Sequence, residues 1–359
     1  MVLDFAKEAL QNVATHSINF DELRAGKANI KVFGVGGAGC NSITWLFNKG
    51  ISGATIYGVN TDALHLSITK ADEKILIGKE LTRGLGCGGY PAKGREAAKE
   101  SLSELKKAAT GADMVFVISG MGGGTGTGAA PVVSQLAKES GAVVIGVVTM
   151  PFDCEKARYD KAEFGLQELT EVVDTVIVID NNRLVDIAGN LPMEQAFAVA
   201  NELTSTMIKG IVETITLPSL INLDYADVSA IMKNGDVAVI GVGESDTQSR
   251  VDEAVRQALT HPLLDVDYKG ATGALIHITC GPDFKLEEFA GIGELVTENI
   301  SQDAQVIIGA RVNKDFANKV RVITIMTGVK SPYVLGKKAM RQESAMKSEM
   351  SELGIEVFR

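Results

Sequence analysis

Ser119-Gly-Met-Gly-Gly-Gly-Thr-Gly-Thr-Gly128 is the stretch of this sequence that decides the fold. Six of its ten residues are glycine, which loses more conformational entropy on folding than any other residue. Such a run is costly unless the backbone itself has a role. An apolar segment precedes it and a helical pattern follows it, so the glycines lie in a strand-to-helix turn. Backbone N–H groups exposed at the start of a helix form a cradle for phosphate oxygens.

A second glycine turn, Gly34-Val-Gly-Gly-Ala-Gly39, also lies between a strand and a helix and fits the dinucleotide pattern G-x-G-x-x-G. Asp62 ends the next strand, where a dinucleotide enzyme keeps its ribose-binding acid. Taken alone, this turn leaves an NAD site open. A dinucleotide needs only one pyrophosphate cradle, however, so two cradles favour a longer polyphosphate. The P-loop pattern G-x-x-x-x-G-K-[ST] is absent, which excludes that class of NTPase.

The amino-acid composition narrows the classes of protein that this sequence can belong to. The 359 residues give room for about two domains, and 45% hydrophobic with 22% charged residues is ordinary for a globular protein. A net charge of -10 without a basic run argues against nucleic acid as a partner. No signal-peptide pattern or apolar run of about 20 residues occurs, so we expect a cytoplasmic protein without direct membrane insertion. The four cysteines form no CxxC pair, and we expect no metal site built by the protein alone.

Strand and helix patterns alternate through the first half of the chain, which predicts a parallel sheet of βαβ units. Helices are predicted to start near Asn41 and Ala129, the latter with Pro131 in its first turn. A long pattern at 193–215, apolar around much of its circumference, predicts a helix buried between two bodies. The predicted strands are 29–35, 55–60, 113–119, 142–149, 175–180, 236–242, 274–279, 305–310 and 320–327, with further helices at 249–259 and 286–300.

Gly122-Gly-Gly-Thr-Gly-Thr-Gly128 resembles the signature loop of the tubulin/FtsZ superfamily. The resemblance covers roughly residues 29–330 and is closer to FtsZ, in particular the archaeal type, than to tubulin. Other motifs in FtsZ order are Gly36–Gly39 with Asn41, Asn60-Thr-Asp62, Thr82–Gly86, Pro151-Phe152 with Glu155 and Arg158, and Asn222–Asp227.

The resemblance implies an α/β fold with a parallel-sheet GTP-binding domain joined by a long central helix to a smaller α+β domain. The implied order is an N-terminal helical extension (1–28), the GTP-binding domain (29–192), the central helix (193–216), a C-terminal activation domain (217–330) and a tail (331–359).

The resemblance also implies where GTP or GDP is held. Thr125 and Thr127 would add hydroxyl donors to the cradle. The loops at 36–41 and 122–128 would hold the phosphates, and the loop at 86–89 resembles the one that senses the γ-phosphate. The implied nucleotide contacts in this part of the chain are Gly36, Gly37, Ala38, Gly39, Asn41, Asn60, Thr61, Asp62, Cys87, Gly88, Gly89, Gly122, Gly123, Gly124, Thr125, Gly126, Thr127 and Gly128. Glu155 and Arg158 would contact the ribose and phosphate region and Asn181 would lie near the base. The 155–158 segment is one residue shorter than the common pattern.

Phe197 and Asn201 of the long helix match the ring that stacks on guanine and the amide that reads its edge. Their i, i+4 spacing independently puts both side chains on one helix face. The alternative interpretation is that Phe197 belongs to the core.

The loop Asn222-Leu-Asp-Tyr-Ala-Asp227 follows the long helix. Two carboxylates three residues apart are also typical of a helix start, because acids favour first turns. The resemblance implies that Asn222, Asp224 and Asp227 enter the nucleotide site of the next subunit. There the carboxylates would orient the attacking water while Mg²⁺ neutralises the β- and γ-phosphate oxygens. A head-to-tail contact of this kind propagates into a filament.

The leading hypothesis is therefore a polymerising GTPase of cell division that hydrolyses GTP at subunit interfaces and acts at the division site. The alternative is a GTP-binding scaffold filament with little turnover. A third hypothesis, an NAD-dependent oxidoreductase, requires a catalytic acid or base. None of the four histidines (His16, His65, His261 and His277) lies in a recognisable dehydrogenase context.

The chain ends in Leu353-Gly-Ile-Glu-Val-Phe-Arg359, an apolar segment after a charged stretch. Chain ends are normally polar. Two hypotheses remain open: the segment packs on its own domain, or it binds a division or membrane-anchoring protein.

Overall fold

The computed structural model describes residues 28–217, 219–221, 223–233, 236–260, 268, 271–298, 300–301 and 303–329. Ten strands in these ranges form one sheet, in the order β3-β2-β1-β4-β5-β6-β7-β10-β8-β9. The strands are β1 (Ile30–Val35), β2 (Ala54–Asn60), β3 (Glu73–Leu76), β4 (Met114–Gly120), β5 (Val143–Met150), β6 (Thr175–Asp180), β7 (Asp236–Ser245), β8 (Gly273–Cys280), β9 (Gln305–Val312) and β10 (Val320–Thr327).

The α-helices of the described residues cover both faces of this sheet. They are α1 (Gly36–Lys49), α2 (Ala63–Ile68), α3 (Lys79–Thr82), α4 (Pro91–Glu100), α5 (Leu102–Ala109), α6 (Thr125–Glu139), α7 (Lys156–Val172), α8 (Asn181–Ala188), α9 (Met193–Thr216), α10 (Tyr225–Lys233), α11 (Arg250–Leu259) and α12 (Leu286–Thr297).

The strands β1 to β7 pair in parallel. β10 runs antiparallel to both β7 and β8, and β9 is parallel to β8. All six residues of β1 are buried, as expected for a parallel strand covered on both faces. Alternate residues enter different cores: Phe33 and Val35 pack in one apolar cluster, while Ile30 and Val32 pack in the other.

The long helix α9 has 24 residues, which corresponds to about 36 Å. Met207, Ile208 and Ile211 are buried in the same core as Ile30, so this helix lies against the face of the parallel sheet. Farther along, Glu213 pairs with Arg311 of β9 at 3.5 Å. The helix therefore contacts both halves of the chain, in line with the burial expected from its apolar pattern.

Among the described residues, three pairs, Thr175↔Asp236 to Ile177↔Ala238, connect β6 to β7. Through this short junction the sheet continues from the first half of the chain into the second. The predicted domain boundaries at 192, 216 and 330 stay predictions, although α9 occupies the range given for the central helix.

Two predicted helix starts are wrong. The helices begin at Gly36 and Thr125, so both glycine motifs form the first turns of α1 and α6. Pro131 then lies inside α6 rather than in its first turn. Glycine is a poor helix former, so sequence propensity places each start too late. The predicted helix at 286–300 also ends earlier, at Thr297.

None of the helices in the described part of the chain is long and apolar enough to cross a membrane. Residues 1–27 of the predicted N-terminal extension, the predicted tail 331–359 and the predicted catalytic Asn222 lie outside the described residues.

Candidate nucleotide site

Three parallel strands end side by side at one edge of the sheet, and a predicted nucleotide loop follows each. Val35 of β1 lies opposite Val59 of β2 and Ser119 of β4. The next residues along the chain are the first glycine turn, the 60–62 segment and the long glycine stretch. In open α/β sheets, ligands bind in the crevice at this carboxyl edge.

The two glycine loops are in direct contact. Gly36 has a φ of +74°, and a Cβ built on it would lie 2.7 Å from the backbone nitrogen of Gly126. Both the left-handed backbone and the close approach require glycine at position 36. The two predicted phosphate cradles therefore lie side by side, close enough to contact one polyphosphate.

The glycines of the long stretch divide into two groups. Most of them allow close packing: a Cβ on Gly124 would lie 2.7 Å from Cys87 Cβ, and one on Gly128 would lie 2.0 Å from the Pro91 carbonyl oxygen. A Cβ on Gly126 would meet Ser119 Oγ at 2.5 Å, and one on Gly122 would meet the Arg158 carbonyl at 2.8 Å. Gly123 is different, because nothing lies within 4 Å of its Cβ position.

The glycines of the first turn, Gly34–Gly39, likewise include one that allows close packing and one with an open Cβ position. A Cβ on Gly39 would lie 2.3 Å from the Ile118 carbonyl oxygen, whereas the Cβ position of Gly37 is open. Gly37 and Ala38 are exposed. Within the two glycine loops, bare backbone thus faces open space at Gly37 and Gly123.

The two threonine hydroxyls of the stretch, which the sequence predicts as donors to the ligand, also make hydrogen bonds within the protein. Thr127 is fully buried and its Oγ1 accepts a hydrogen bond from Gly122 N at 2.9 Å. The Thr125 and Thr61 hydroxyl oxygens are 2.7 Å apart. These bonds hold the loop in shape and tie it to the 60–62 segment.

The 60–62 segment is fixed by its own side chains. Asn60 Oδ1 accepts from the backbone N–H of Thr61 at 2.9 Å and of Asp62 at 3.3 Å. Asp62 caps α2, since its Oδ1 accepts from His65 N at 2.9 Å. Cys40 packs beneath this segment, and burial raises the pKa of its thiol to about 11. This thiol is therefore uncharged at neutral pH.

The predicted γ-phosphate loop lies beside the same segment. The Cys87 Sγ is 3.4 Å from Thr61 Oγ1 and is buried. Gly88 and Gly89 both have left-handed backbones, with φ of +59° and +77°. The Gly89 carbonyl oxygen accepts from Lys161 Nζ at 2.8 Å. Sequence reasoning missed Lys161, a cation of α7 that also lies 5.6 Å from the centre of the Tyr90 ring.

The residues predicted around the ribose and base lie at the starts of three helices: Glu155 and Arg158 at α7, Asn181 at α8 and Phe197 in α9. Arg158 Nη1 donates to Glu155 Oε2 at 2.6 Å, so these two side chains pair with each other. Asn181 is the first residue of α8 and is half-buried. The neighbouring Asn182 holds the 153 turn, since its Oδ1 accepts from Asp153 N at 2.9 Å, a role that sequence reasoning missed.

Phe197 is 37% exposed, which argues against the interpretation that it is a core residue. Its ring meets Phe152 edge to face at 6.0 Å, and both line a cavity of about 260 Å³ between α8 and α9. Asn201 lies one turn farther along, and its Oδ1 accepts from Ser42 Oγ of α1 at 2.9 Å. The ring thus contacts the α8 side and the amide contacts α1, while their i, i+4 spacing keeps the two side chains one turn apart along α9.

The two acidic residues lie elsewhere. Asp224 caps α10, because its Oδ1 accepts from Asp227 N at 2.8 Å, and Asp227 lies in the first turn. The helix-start interpretation is therefore correct, and it leaves Asp224 exposed and Asp227 half-buried. The Tyr225 hydroxyl donates to the Asp113 carbonyl at 2.7 Å, and burial raises the pKa of that hydroxyl.

Asp113 immediately precedes β4, whereas the glycine loop Gly122–Gly128 follows β4. The acidic loop therefore lies at the amino edge of the sheet and the glycine loops at its carboxyl edge. Seven residues of β4 separate the two edges, which amounts to roughly 20 Å at about 3.3 Å per residue.

A parallel sheet with two glycine loops in contact at its carboxyl edge and an acidic loop at its amino edge defines a class of nucleotide-binding α/β proteins. Comparison with known proteins agrees. Residues 29–189 match the Tubulin/FtsZ family GTPase domain, and residues 236–330 match the FtsZ family C-terminal domain. The chain belongs to the FtsZ family.

Close relatives extend over most of the chain. "Cell division protein FtsZ 2" of Methanocaldococcus jannaschii is 53% identical over 340 residues, which are 94% of this chain and 89% of the relative. "Cell division protein FtsZ 1" of Pyrococcus abyssi is 55% identical over 309 residues, covering 86% and 83%. The solved empty FtsZ dimer of M. jannaschii superposes with a TM-score of 0.80 at 49% identity, covering 90% of this chain and 92% of that one.

The chain is thus a guanine-nucleotide-binding, polymerising GTPase of cell division. This membership decides against the dinucleotide oxidoreductase that the first glycine turn alone had left open.

Proposed function

We propose that this chain hydrolyses GTP at an active site that two head-to-tail subunits complete together. The observation that carries the proposal is the bond from the Tyr225 hydroxyl to the Asp113 carbonyl, at 2.7 Å. It ties the acidic loop to the amino edge of the sheet, while the glycine loops lie at the carboxyl edge. One subunit therefore cannot bring Asp224 or Asp227 to its own γ-phosphate, whereas a stacked neighbour can.

In this proposal the glycine-loop end of one subunit binds GTP, and the acidic-loop end of its neighbour positions the attacking water. The open backbone at Gly37 and Gly123 would donate N–H groups to the phosphates, and the Phe197 ring would stack on the base. The neighbour's Asp224 and Asp227 would orient a water in line with the γ-phosphate, where positioning supplies most of the catalysis.

A shared site makes turnover depend on assembly. Specific GTPase activity is expected to rise above a threshold protein concentration and to vanish on dilution to monomer. Phosphate release measured across a dilution series, with sedimentation of the same samples, tests this. Activity per subunit that stays constant down to the monomer would leave a self-contained GTPase.

Mg²⁺ is the cofactor we propose for turnover. The described residues present no group of three or more His, Cys, Asp or Glu side chains that could hold a metal. This fits Mg²⁺, which is usually held through substrate phosphates, waters and one or two carboxylates. We propose Asp62 as the carboxylate at this edge that would contact the ion: one of its oxygens caps α2, and the other is not used in that cap. When bound, the ion would neutralise charge on the β- and γ-phosphate oxygens.

Exposed apolar side chains lie near both proposed contact ends. Leu64 and Ile68 of α2 are 79% and 71% exposed beside the nucleotide loops, and Leu85 of the adjacent turn is 84% exposed. Near the acidic loop, Leu220 is 76% exposed. Large exposed apolar groups are typical of interaction surfaces. We propose that these side chains are buried between subunits of the filament.

Replacing Leu64 or Leu220 by Glu is expected to prevent filament formation while leaving the fold and nucleotide binding intact. A buried carboxylate in the contact would lack a partner, whereas in the monomer both positions face solvent. Sedimentation and light scattering with GTP measure assembly, and fluorescent GDP measures binding. Leu286→Glu is the matched control, because Leu286 is 82% exposed at the start of α12 and belongs neither to the nucleotide loops nor to the acidic loop. Normal assembly of both leucine variants would place the contact elsewhere.

We also propose that the protein acts in the cytoplasm at the division site and that residues 353–359 bind a division or membrane-anchoring protein. Deleting these residues should leave GTPase activity and filaments intact but abolish localisation of a fluorescent fusion in cells. A lower melting temperature of the truncated protein would instead indicate that the segment packs on its own domain.

A further inference from the structure

His65 lies between two of the proposed nucleotide loops and has no role in the site described so far. Its ring Nε2 is 3.0 Å from Asn41 Oδ1, and its Nδ1 is 3.2 Å from Asn60 Nδ2. Asn41 belongs to the second turn of α1, after the first glycine motif, and Asn60 is the last residue of β2. One imidazole therefore joins the side chains of both loops.

The backbone fixes how the Asn60 amide is oriented. The N–H groups of Thr61 and Asp62 both point at the same terminal atom of Asn60, at 2.9 and 3.3 Å. A backbone N–H can only donate, so this atom must be the carbonyl oxygen. The other terminal atom is then Nδ2, which can only donate, and it is the atom that faces His65.

The orientation of Asn60 in turn fixes the state of His65. Nδ1 must accept the hydrogen bond from Asn60 Nδ2, so it carries no proton. The neutral ring then has its proton on Nε2, which donates to Asn41. The atom of Asn41 that faces His65 is consequently its carbonyl oxygen, and the Asn41 N–H donors point elsewhere.

We infer that His65 is a positioning residue that holds the Asn41 amide with its N–H donors toward the nucleotide phosphates. The inference rests on the proposed role of Asn41 in the nucleotide site. Phosphate oxygens only accept hydrogen bonds, so an amide turned the other way would present its oxygen to an anion. Gly37, with its open backbone, lies four residues before Asn41 on the same helix face, so both sets of donors serve one surface.

A double-mutant cycle tests this, using the full chain stripped of nucleotide and titrated with fluorescent GDP. Asn41→Ala is expected to weaken binding, and His65→Leu to weaken it about three- to tenfold, the size of one hydrogen bond. In the Asn41→Ala background, His65→Leu should change the affinity by less than about twofold, because its target is gone. An equal loss in both backgrounds would overturn the inference and leave a packing role.

Further measurements distinguish a failure of the proposed nucleotide site from a failure of the inference about His65. If Asn41→Ala binds GDP normally, the proposed site at Asn41 fails and the inference with it. Melting temperatures of all variants show whether His65→Leu acts through the fold. Independently of any ligand, the ¹⁵N spectrum of labelled histidines at alkaline pH should show His65 protonated on Nε2, with His65→Leu assigning the signal. A proton on Nδ1 would overturn the hydrogen-bond chain even if the affinities behave as expected.

Discussion

Asp227→Ala is expected to bind GTP and assemble, yet to lose most of its hydrolysis, with kcat falling on the order of 10²–10⁴-fold, the range for a positioned acid–base group. The carboxylate lies in the first turn of α10 and is half-buried at the amino edge of the sheet. It makes no contribution to the subunit's own cradle, so affinity should not change. Phosphate release, sedimentation and GDP titration on the same preparation separate the three properties.

Asp224, the other acidic residue of the loop, needs a substitution other than alanine. Asp224 caps α10 through Asp227 N, so Asp224→Ala would remove charge and cap together, at a cost of about 0.5–2 kcal/mol in stability. Asp224→Asn keeps a capping oxygen and removes the charge alone. Asp246→Ala, an exposed acid outside both loops, serves as the control. Hydrolysis at the normal rate by filaments of Asp227→Ala would remove this carboxylate from the mechanism.

Mixing two inactive variants, each with one intact half of the active site, tests the shared site more directly than either variant alone. Asp227→Ala has an intact cradle, and a variant with a blocked cradle has an intact acidic loop. Together they should recover part of the turnover that each lacks alone. Recovery must depend on co-assembly, so it should disappear below the assembly threshold.

Gly123→Val should supply that blocked cradle. Nothing lies within 4 Å of its Cβ position, and its φ is outside the left-handed region, so the chain accommodates the side chain without strain. The side chain would fill the space proposed for phosphate. Each hydrogen bond to a charged group contributes about 1.5–3 kcal/mol, so loss of two weakens GDP binding on the order of 10²–10⁴-fold. Calorimetric titration measures this, and near-normal affinity would rule out the cradle.

Two other glycines give the matched comparison. Gly126→Val should lower stability by about 1–3 kcal/mol or more, because its Cβ would lie 2.6 Å from the Gly120 carbonyl and 2.5 Å from Ser119 Oγ. Gly291→Val on α12 should change neither binding nor stability appreciably, since the nearest atom to its Cβ is Val251 Cγ1 at 3.9 Å. Thermal unfolding thus distinguishes a glycine needed for packing from one needed for ligand access.

Much of the fold could be predicted because parallel strands are long apolar runs and the loops between them are marked by glycine. Helices α4 and α7 were not predicted, and their glycines give the reason. A Cβ on Gly94 would lie 2.2 Å from the Gly124 carbonyl, and one on Gly165 would lie 2.2 Å from Thr127 Cγ2. These residues look like helix breakers, yet they allow each helix to approach the phosphate loop. Helix propensity is a local property of the sequence, so it cannot predict a glycine that is needed for contact with a distant loop.

The site was predicted as a set of positions rather than as a set of orientations. Spacing put Phe197 and Asn201 on one helix face, but nothing in it showed that Thr127 turns inward to Gly122. The His65 contacts likewise join residues 24 positions apart in the chain. Only the assembled sheet edge brings those donors and acceptors together.

The position of the acidic loop at the far edge of the sheet determines which subunits of a filament can hydrolyse their GTP. If each active site needs a neighbour's carboxylates, a filament holds one fewer active sites than subunits. The subunit at the end with an uncovered nucleotide keeps its GTP, whatever the length of the polymer. The two tips therefore differ in chemical state as well as in shape, because the end subunit at the opposite tip has its nucleotide covered by a neighbour and can hydrolyse it. Growth and loss would then follow different rate laws at the two tips.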